Sequence, residues 1–263
     1  MNATPTTYVT TSWDDGHPSD FRIAELLSKY GARGTFYIPK SAHGETMTPA
    51  QIRELSRDFD IGAHTLHHAV LAETSNERAW REIEGSKSWI EDVTGKPCRV
   101  FCPPEGRFSR RHVEMVFDAG FLGLRSVELG SLDMPRRHAR GLVLPTSIQA
   151  YPHSAYVFVV NALKRASLGN LLRLAATGRS SDWPDMARSY FRQALRRGGV
   201  FHLWGHSWEV QATDQWRRLE EVLKFLSEYA QEARFLDNGG LCEAQLARQS
   251  PIGGQQPLRE IAS

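Results

Sequence analysis

The sequence has few cysteines, and their number and spacing argue against both a disulfide framework and a redox motif. Only Cys98, Cys102 and Cys242 occur among the 263 residues. An odd number does not favour a disulfide framework, and Cys98 and Cys102 do not have the C-x-x-C spacing of a redox pair. We therefore expect reduced thiols.

Long apolar runs and repeats are also missing. No apolar run approaches the roughly 20 residues that span a bilayer, and residues 1–5 lack the basic and apolar pattern of a signal peptide. We find no internal repeat. These absences lead us to expect a soluble, cytoplasmic protein without a transmembrane segment.

The chain lacks a strong charge of either sign. Its net charge is +2, and the charged residues are spread along the sequence, so there is no electrostatic footprint for a nucleic-acid partner. A chain of this length can form one large core without a second domain. We expect a single catalytic domain over residues 1–250 and a disordered tail over 251–263, which is rich in Gly, Gln and Pro.

Strand-like and helix-like segments alternate along the sequence. Strands are predicted at 6–13, 34–39, 61–63, 99–101, 121–124 and 200–203, and helices at 20–31, from 49, from 74–77 to 94, at 109–119, 184–197 and 213–230. Such alternation predicts a parallel sheet covered by helices, and the chain length favours closure into a barrel. In that architecture reactive side chains gather where the strands end. Residues of about 126–183 are expected to form inserted loops or a lid.

Within this insertion, residues 159–179 mix leucines with lysine and arginine. The favoured interpretation is a helix that packs on the barrel and exposes a solvated basic face. A helix that lies on a membrane surface and serves a lipid-linked substrate is the alternative. We therefore treat peripheral membrane contact as possible but not favoured.

Two short motifs follow predicted strands and could share one divalent metal. The first contains Asp14 and Asp15, and the second contains His64 and His68. Two histidines four residues apart project to one side in a helix or in a strand, whereas His67 does not share their direction. Two imidazoles and one carboxylate leave coordination positions open for water and substrate, and the second carboxylate remains available as a base. This combination predicts a metal-dependent hydrolase.

These motifs resemble those of NodB-type polysaccharide deacetylases, carbohydrate esterase family 4. Residues 12–16 read S-W-D-D-G where the family usually has T-F-D-D-G, and residues 64–68 read H-T-L-H-H, which fits H-S/T-x-x-H. The resemblance implies that Asp14 is the general base and that Asp15, His64 and His68 are the metal ligands. It also implies an α/β fold, a distorted barrel of about seven parallel strands.

The third motif departs from the family pattern. The family commonly has R-P-P-Y-G, but residues 102–106 read C-P-P-E-G, so the arginine that would steady the base is missing. Arg107 or Arg99 could substitute for it. We expect the loop to line the site, with Glu105 and Arg107 available to the substrate, and we expect Cys102 to be a packing residue.

The last motif of the family supplies a late histidine, for which the chain has two candidates. We favour His206 as the general acid because its H-S-W-E context resembles that of some relatives and it stands just beyond a predicted strand. His202, inside the strand, is interpreted as a hydrogen-bonded core residue. Trp204 and Trp208 are predicted to form an apolar wall against the substrate, with packing in the core as the alternative.

The sequence thus predicts a hydrolase that removes the N-acetyl group from an amino sugar or its conjugate. One divalent ion is expected, zinc first, with cobalt, nickel or iron as alternatives. A deformylase or another amidohydrolase that acts on a lipid-linked sugar or a non-sugar amide is a second hypothesis. A catalytically silent sugar-binding barrel is a third.

Overall fold

The protein is described by a computed structural model, and the residues that it describes are 6–42, 44–153, 155–164, 168–177, 180 and 182–249. The strands are β1 (Thr7–Asp14), β2 (Gly34–Ile38), β3 (Asp60–Ala63), β4 (Val100–Phe101), β5 (Gly123–Arg125), β6 (Arg136–His138), β7 (Gly141–Leu144), β8 (Ile148–Gln149), β9 (Gly199–His206) and β10 (Ala233–Phe235). The helices are α1 (Asp20–Lys29), α2 (Pro49–Leu55), α3 (Asn76–Thr94), α4 (Arg110–Asp118), α5 (Ala155–Lys164), α6 (Leu168–Ala175), α7 (Trp183–Arg197), α8 (Ser207–Ala212), α9 (Trp216–Ser227) and α10 (Asn238–Gln249). The predicted tail over 251–263 lies outside the described residues.

The described strands form one curled sheet in the order β6-β7-β5-β4-β3-β2-β1-β9-β8, with β10 beside the first half of β1. All neighbours pair in parallel except β6 and β7, which form an antiparallel edge. The predicted α/β class and distorted barrel are confirmed. The sheet has more strands than the expected seven because it includes the two-residue strands β4 and β8 and the hairpin at its edge.

Strand β1 is the centre of the sheet and carries the first motif. All eight of its residues are buried, since it has β9 on one side and β2 and β10 on the other. A strand covered on both faces favours a continuous run of β-branched and aromatic residues, which is the pattern of T-Y-V-T-T-S-W. The register pairs Asp14 with His206 of β9 and with Tyr37 of β2. The carboxyl ends of these strands therefore meet at one rim of the barrel.

The predicted elements occur, with differences in the last third of the chain. Strand β9 continues to His206 instead of ending at residue 203. The helix expected over 213–230 is α9, and a short helix that was not predicted, α8, precedes it. The segment expected to form inserted loops, about 126–183, supplies β6, β7 and β8 to the sheet before it forms α5 and α6. Short strands such as β8 carry too few residues for a period of two to be visible in the sequence.

No helix in the described part of the chain is both long enough and apolar enough to cross a membrane. The three cysteines are buried, and none of them forms a disulfide.

Candidate active site

The end of β1 sends two neighbouring carboxylates in different directions. Asp14 is the last strand residue and is almost fully buried, while Asp15 has a left-handed backbone with φ of 78°. Gly16 continues this turn at φ of 65°, and a Cβ there would lie only 2.6 Å from the Cγ2 atom of Ile38. Glycine is therefore required at this position, because both the backbone conformation and the close approach exclude a side chain.

The loop after β3 brings His64 and His68 to Asp15. Thr65 and His68 adopt left-handed backbone conformations, with φ of 56° and 51°, and so fold the loop back over the rim. The Nδ1 atom of His64 donates a hydrogen bond of 2.7 Å to the carbonyl of Cys102. This bond fixes the tautomer of His64 and leaves its Nε2 atom free to bind a metal.

The three predicted ligands have the separations that a single ion requires. The Oδ1 atom of Asp15 lies 3.1 Å from Nε2 of His68 and 3.4 Å from Nε2 of His64, and it is buried without a hydrogen-bond partner. Ligands about 2.0–2.2 Å from a tetrahedral or octahedral ion are about 3.0–3.5 Å apart. The orphaned oxygen and the two imidazoles thus fit one divalent ion.

The electrostatics of Asp15 suit a ligand. Burial would raise the pKa of this carboxyl, but its contacts with His64 and His68 outweigh burial and hold the pKa below its ordinary value. Its second oxygen, Oδ2, accepts a hydrogen bond of 2.9 Å from Nε1 of Trp208. The indole therefore orients the carboxylate toward the histidines.

The structure supplies an arginine to Asp14 from a place that the sequence analysis did not identify. Arg125, the last residue of β5, is completely buried, and its Nη2 atom contacts both carboxylate oxygens of Asp14. Burial would lower the pKa of this guanidinium, but the charge of Asp14 outweighs burial and raises it above its ordinary value. The guanidinium also lies over the rings of Trp204 and Tyr37, at 4.8 and 5.3 Å from their centroids. Arg125 therefore takes the place of the missing third-motif arginine.

The predicted substitutes Arg99 and Arg107 are wrong for this role. Arg99 precedes β4 at the opposite end of the sheet, where it pairs with Asp60 and Glu243. Arg107 pairs with Glu73 at 2.5 Å and Glu105 at 3.3 Å in an exposed position, and it is not among the residues that line the cavity described below. Cys102 lies 3.9 Å from Asp14 where the usual arginine would stand, and burial raises the pKa of its thiol well above the ordinary value. This environment fits a packing role.

We predict that Arg107→Ala has a small effect on stability. The side chains of Arg107 and Glu73 are each about half exposed, and exposed ion pairs contribute about 0.2–1 kcal/mol. Chemical denaturation should therefore give a free energy of unfolding within about 1 kcal/mol of the wild type. A loss of several kcal/mol would mean that this loop is held by Arg107.

His206 ends β9 at the same rim and has its own acidic partner. Its Nδ1 atom donates a hydrogen bond of 2.6 Å to Glu209 of α8, and its Nε2 atom lies 3.9 Å from Oδ2 of Asp15. Burial lowers the pKa of His206, but Glu209 and the charges of Asp14 and Asp15 raise it to about 9. These partners favour the protonated imidazole, which can act as an acid.

Glu209 belongs to a hydrogen-bonded chain that runs along the cavity wall. It also accepts a 2.9 Å hydrogen bond from the amide of Gln149, whose Oε1 atom accepts one of 2.7 Å from Nε2 of His153. Glu209 was not predicted to belong to the site, although its position three residues after His206 could have indicated a role.

The other two histidines near the motifs point elsewhere. His202 is buried, donates to the carbonyl of Pro145 and lies 2.9 Å from Ser12, and burial together with the nearby Arg125 lowers its pKa to about 3. His67 turns away from the metal ligands and hydrogen bonds to Glu82 of α3. Neither can take the role of His206.

The residues brought together at the rim line a cavity of about 370 Å³. Its polar wall includes Asp14, Asp15, His64, His68, Glu105, Gln149, His153 and His206, and its apolar wall includes Val127, Leu129, Val157, Trp204 and Trp208. Three of the four residues predicted to contact substrate, Glu105, Trp204 and Trp208, line this space. The volume is in the range of a site for a small molecule or one unit of a polymer.

Comparison with known proteins gives matches in sequence and in structure. The model of the family described as "Polysaccharide deacetylase" matches residues 1–124, which contain both predicted metal motifs. The peptidoglycan-N-acetylglucosamine deacetylase of Bacillus cereus is 23% identical over 116 residues, which cover 43% of this chain and 53% of that protein. The chain thus spans about half the length of this curated relative.

Two solved structures share the fold over most of the chain. A Mycobacterium smegmatis protein, provisionally described as a polysaccharide deacetylase, has a TM-score of 0.69 and 13% identity over 98% of this chain and 96% of that one. A pseudoenzyme of carbohydrate esterase family 4 from Bacillus anthracis has a TM-score of 0.55 and 14% identity over 92% of this chain and 66% of that one. At these identities the likeness establishes the fold and leaves catalysis to be argued from the residues. The predicted resemblance to the polysaccharide deacetylase family is thus confirmed, since residues 1–124, just under half of the chain, match the family model and nearly the whole chain shares the fold.

Proposed function

We propose that this protein is a metal-dependent hydrolase that removes the N-acetyl group from an amino sugar or its conjugate. The observation that carries the proposal is the convergence of a base candidate, three side chains that can hold a metal, and a histidine hydrogen-bonded to Glu209 on one cavity. The match to the family model supports a deacetylase in general terms, while the amino-sugar substrate and the metal dependence belong to the proposal. The expected cytoplasmic location likewise stays a prediction.

The residues divide the chemistry of amide hydrolysis among themselves. A divalent ion held by Asp15, His64 and His68 would polarise the amide carbonyl and the attacking water. Asp14, oriented by Arg125, takes the proton of that water. His206, kept protonated by Glu209, delivers a proton to the departing nitrogen, which is necessary because an amide anion is a very poor leaving group. Trp204 and Trp208 offer an apolar wall to the acyl methyl or the sugar ring.

The donor set favours zinc but accommodates related metals. Two imidazole nitrogens and one carboxylate suit zinc, iron(II), cobalt and nickel, and a three-ligand site leaves room for substrate. We therefore propose one ion per chain, with zinc as the first candidate.

The test is a product assay on the purified protein with a panel of acylated amino sugars, free and conjugated. The proposal predicts release of acetate, which is abolished by a chelator and restored by one equivalent of zinc. Release of formate, or of acid from a non-sugar amide only, would favour the alternative amidohydrolases. Binding of the sugars without any product would favour the silent barrel.

Glu209→Gln should shift the pH dependence of turnover. Because His206 acts as an acid, activity is lost as pH rises through its pKa, and the neutral amide no longer raises that pKa. We expect the alkaline limb of the kcat profile to move to lower pH by about one unit or more. Glu228→Gln, which changes an exposed carboxylate after α9, is the matched control. An alkaline limb that stays in place in Glu209→Gln would contradict the role of Glu209.

A further inference from the structure

The exposed apolar side chains of the described residues are concentrated on one pair of helices. Six large apolar side chains are exposed, and four of them, Tyr156, Leu163, Leu168 and Leu172, lie on α5 and α6. These four, which we call the apolar face, are 62–74% exposed, compared with 38% for Trp80 and 42% for Trp208. Scattered exposed leucines are ordinary, but a group of this kind indicates a surface that meets a partner.

The opposite side of both helices is fixed to the barrel, so the apolar face is directed outward by the fold. Asn161 of α5 exchanges hydrogen bonds with the backbone of Val127 and Leu129, and Asn170 of α6 donates to the carbonyl of Leu129. Phe158 is buried in the core on the same side. The predicted packing of a helix on the barrel is thus observed, while Lys164, Arg165 and Arg179, which would form most of the expected basic face, have side chains outside the described part of the chain.

The charge of the surrounding sequence restricts the kind of partner. Residues 134–181 contain no Asp or Glu over 48 positions, although these residues make up 30 of the 263, and the same stretch contains seven Lys or Arg. Three of these cations are paired with acidic side chains outside the stretch, Arg136 with Glu128, Arg140 with Glu114 and Asp118, and Arg173 with Asp133. Residues 155–181, which include α5 and α6, contain four of the seven cations and no acid. A segment with positive charge only, combined with exposed leucines, complements a surface that is anionic and has an apolar layer beneath.

The apolar face adjoins the candidate active site. Val157 and Asn161 of α5 line the cavity, while Tyr156 and Leu163 of the same helix belong to the apolar face. A molecule seated in the cavity could therefore extend along α5 with its remaining length against apolar side chains.

We propose that the apolar face docks on an anionic phospholipid bilayer and that the substrate is an amphiphile, an acylated amino sugar linked to a lipid. The sugar end enters the cavity, and the lipid end stays in the bilayer beneath α5 and α6. This inference rests on the proposed function for the identity of the sugar end. The choice of an anionic bilayer as the partner rests on the apolar face and on residues 134–181, which contain no Asp or Glu.

The test measures vesicle binding of the full chain. The wild type should sediment with vesicles of equal parts phosphatidylglycerol and phosphatidylcholine, and not with phosphatidylcholine alone. The triple variant Leu163→Ser, Leu168→Ser, Leu172→Ser should bind the mixed vesicles at least about tenfold more weakly, because the side chains that enter the bilayer are lost. The single variant Leu168→Glu should also weaken binding, since the anionic phosphatidylglycerol repels the added carboxylate.

Trp80→Ser is the matched control, because it removes an exposed apolar side chain of α3 and should leave vesicle binding unchanged. A wild type that does not bind, that binds neutral vesicles equally well, or whose binding survives the triple substitution would overturn the proposal. The proposal would also be overturned if light scattering showed that the wild type is a dimer and the triple variant a monomer. The apolar face would then bind a second copy of the chain.

A parallel assay separates this inference from the proposed function. Release of acetate from a water-soluble acylated amino sugar should be the same within about twofold in the wild type and the triple variant, because none of the three leucines lines the cavity. If soluble turnover occurs without vesicle binding, the bilayer proposal fails and the hydrolase stands. If the protein binds the vesicles but releases no acyl group from any sugar, the proposed hydrolase activity is refuted and the membrane-binding surface is supported.

Discussion

Asp14→Asn should keep the metal and lose turnover. The substitution preserves the size of the side chain and leaves Asp15, His64 and His68 unchanged, so one equivalent of zinc should still bind. The amide cannot accept a proton from water, and removal of a general base costs about 10²–10⁴-fold in rate. We therefore expect kcat to fall by about that factor, with metal content close to one ion per chain.

Asp15→Ala is the matched comparison, since it removes the carboxylate at the neighbouring position. This variant should lose both metal and turnover, because the remaining two imidazoles no longer form a three-ligand site. Full activity in either variant would refute these roles. A loss of metal in Asp14→Asn would mean that Asp14, and not Asp15 alone, binds the ion.

Arg125→Met should be strongly destabilising as well as inactive. Arg125 is completely buried and Asp14 nearly so, and removal of one partner leaves the other charge in the core without compensation. Breaking a buried pair in this way costs about 3–5 kcal/mol. Chemical denaturation at neutral pH should show a loss of that size, several times larger than the loss expected for Arg107→Ala.

A double-mutant cycle separates the ion pair from general damage to the core. In the double variant Asp14→Asn, Arg125→Met neither charge remains, so its destabilisation should be smaller than the sum of the single effects by about 0.5–3 kcal/mol. Additive effects would mean that the two side chains are not coupled. Arg125→Lys, which keeps the charge but not the planar guanidinium, should be less destabilised than Arg125→Met.

The parts of the site that could be predicted are those with local sequence signals. Asp14 and Asp15 follow a buried strand, and His64 and His68 are four residues apart after another, so periodicity and strand order were enough to bring them to one rim. His206 could be found from its place near a strand end together with its H-S-W-E context, which resembles that of the family.

Arg125 could not be predicted, because nothing local identifies it. It lies 111 residues from Asp14, at the end of a strand of only three residues, and the pair forms only when the parallel sheet places β5 across the barrel from β1. Arg107 and Arg99 are nearer to the altered motif in sequence, but the loop geometry and the position before β4 direct them elsewhere. Proximity along the chain was therefore a poor guide to which cation is buried beside the base.

The orientation of the outer helices α5 and α6 could not be predicted from the sequence either. The sequence of 159–179 is amphipathic, but it does not say which side of a helix meets the barrel. That choice depends in part on Asn161 and Asn170, whose hydrogen bonds to the backbone near Leu129 hold one side of each helix against the barrel and leave Leu163, Leu168 and Leu172 exposed.

The central claim is that Asp15, His64 and His68 bind one ion, and crystals grown with zinc test it most directly. An anomalous difference map should contain one strong peak per chain, about 2.0–2.2 Å from a carboxylate oxygen of Asp15 and from the Nε2 atoms of both histidines. Crystals in which zinc binds elsewhere, or in which these three side chains point apart with no peak between them, would contradict the account.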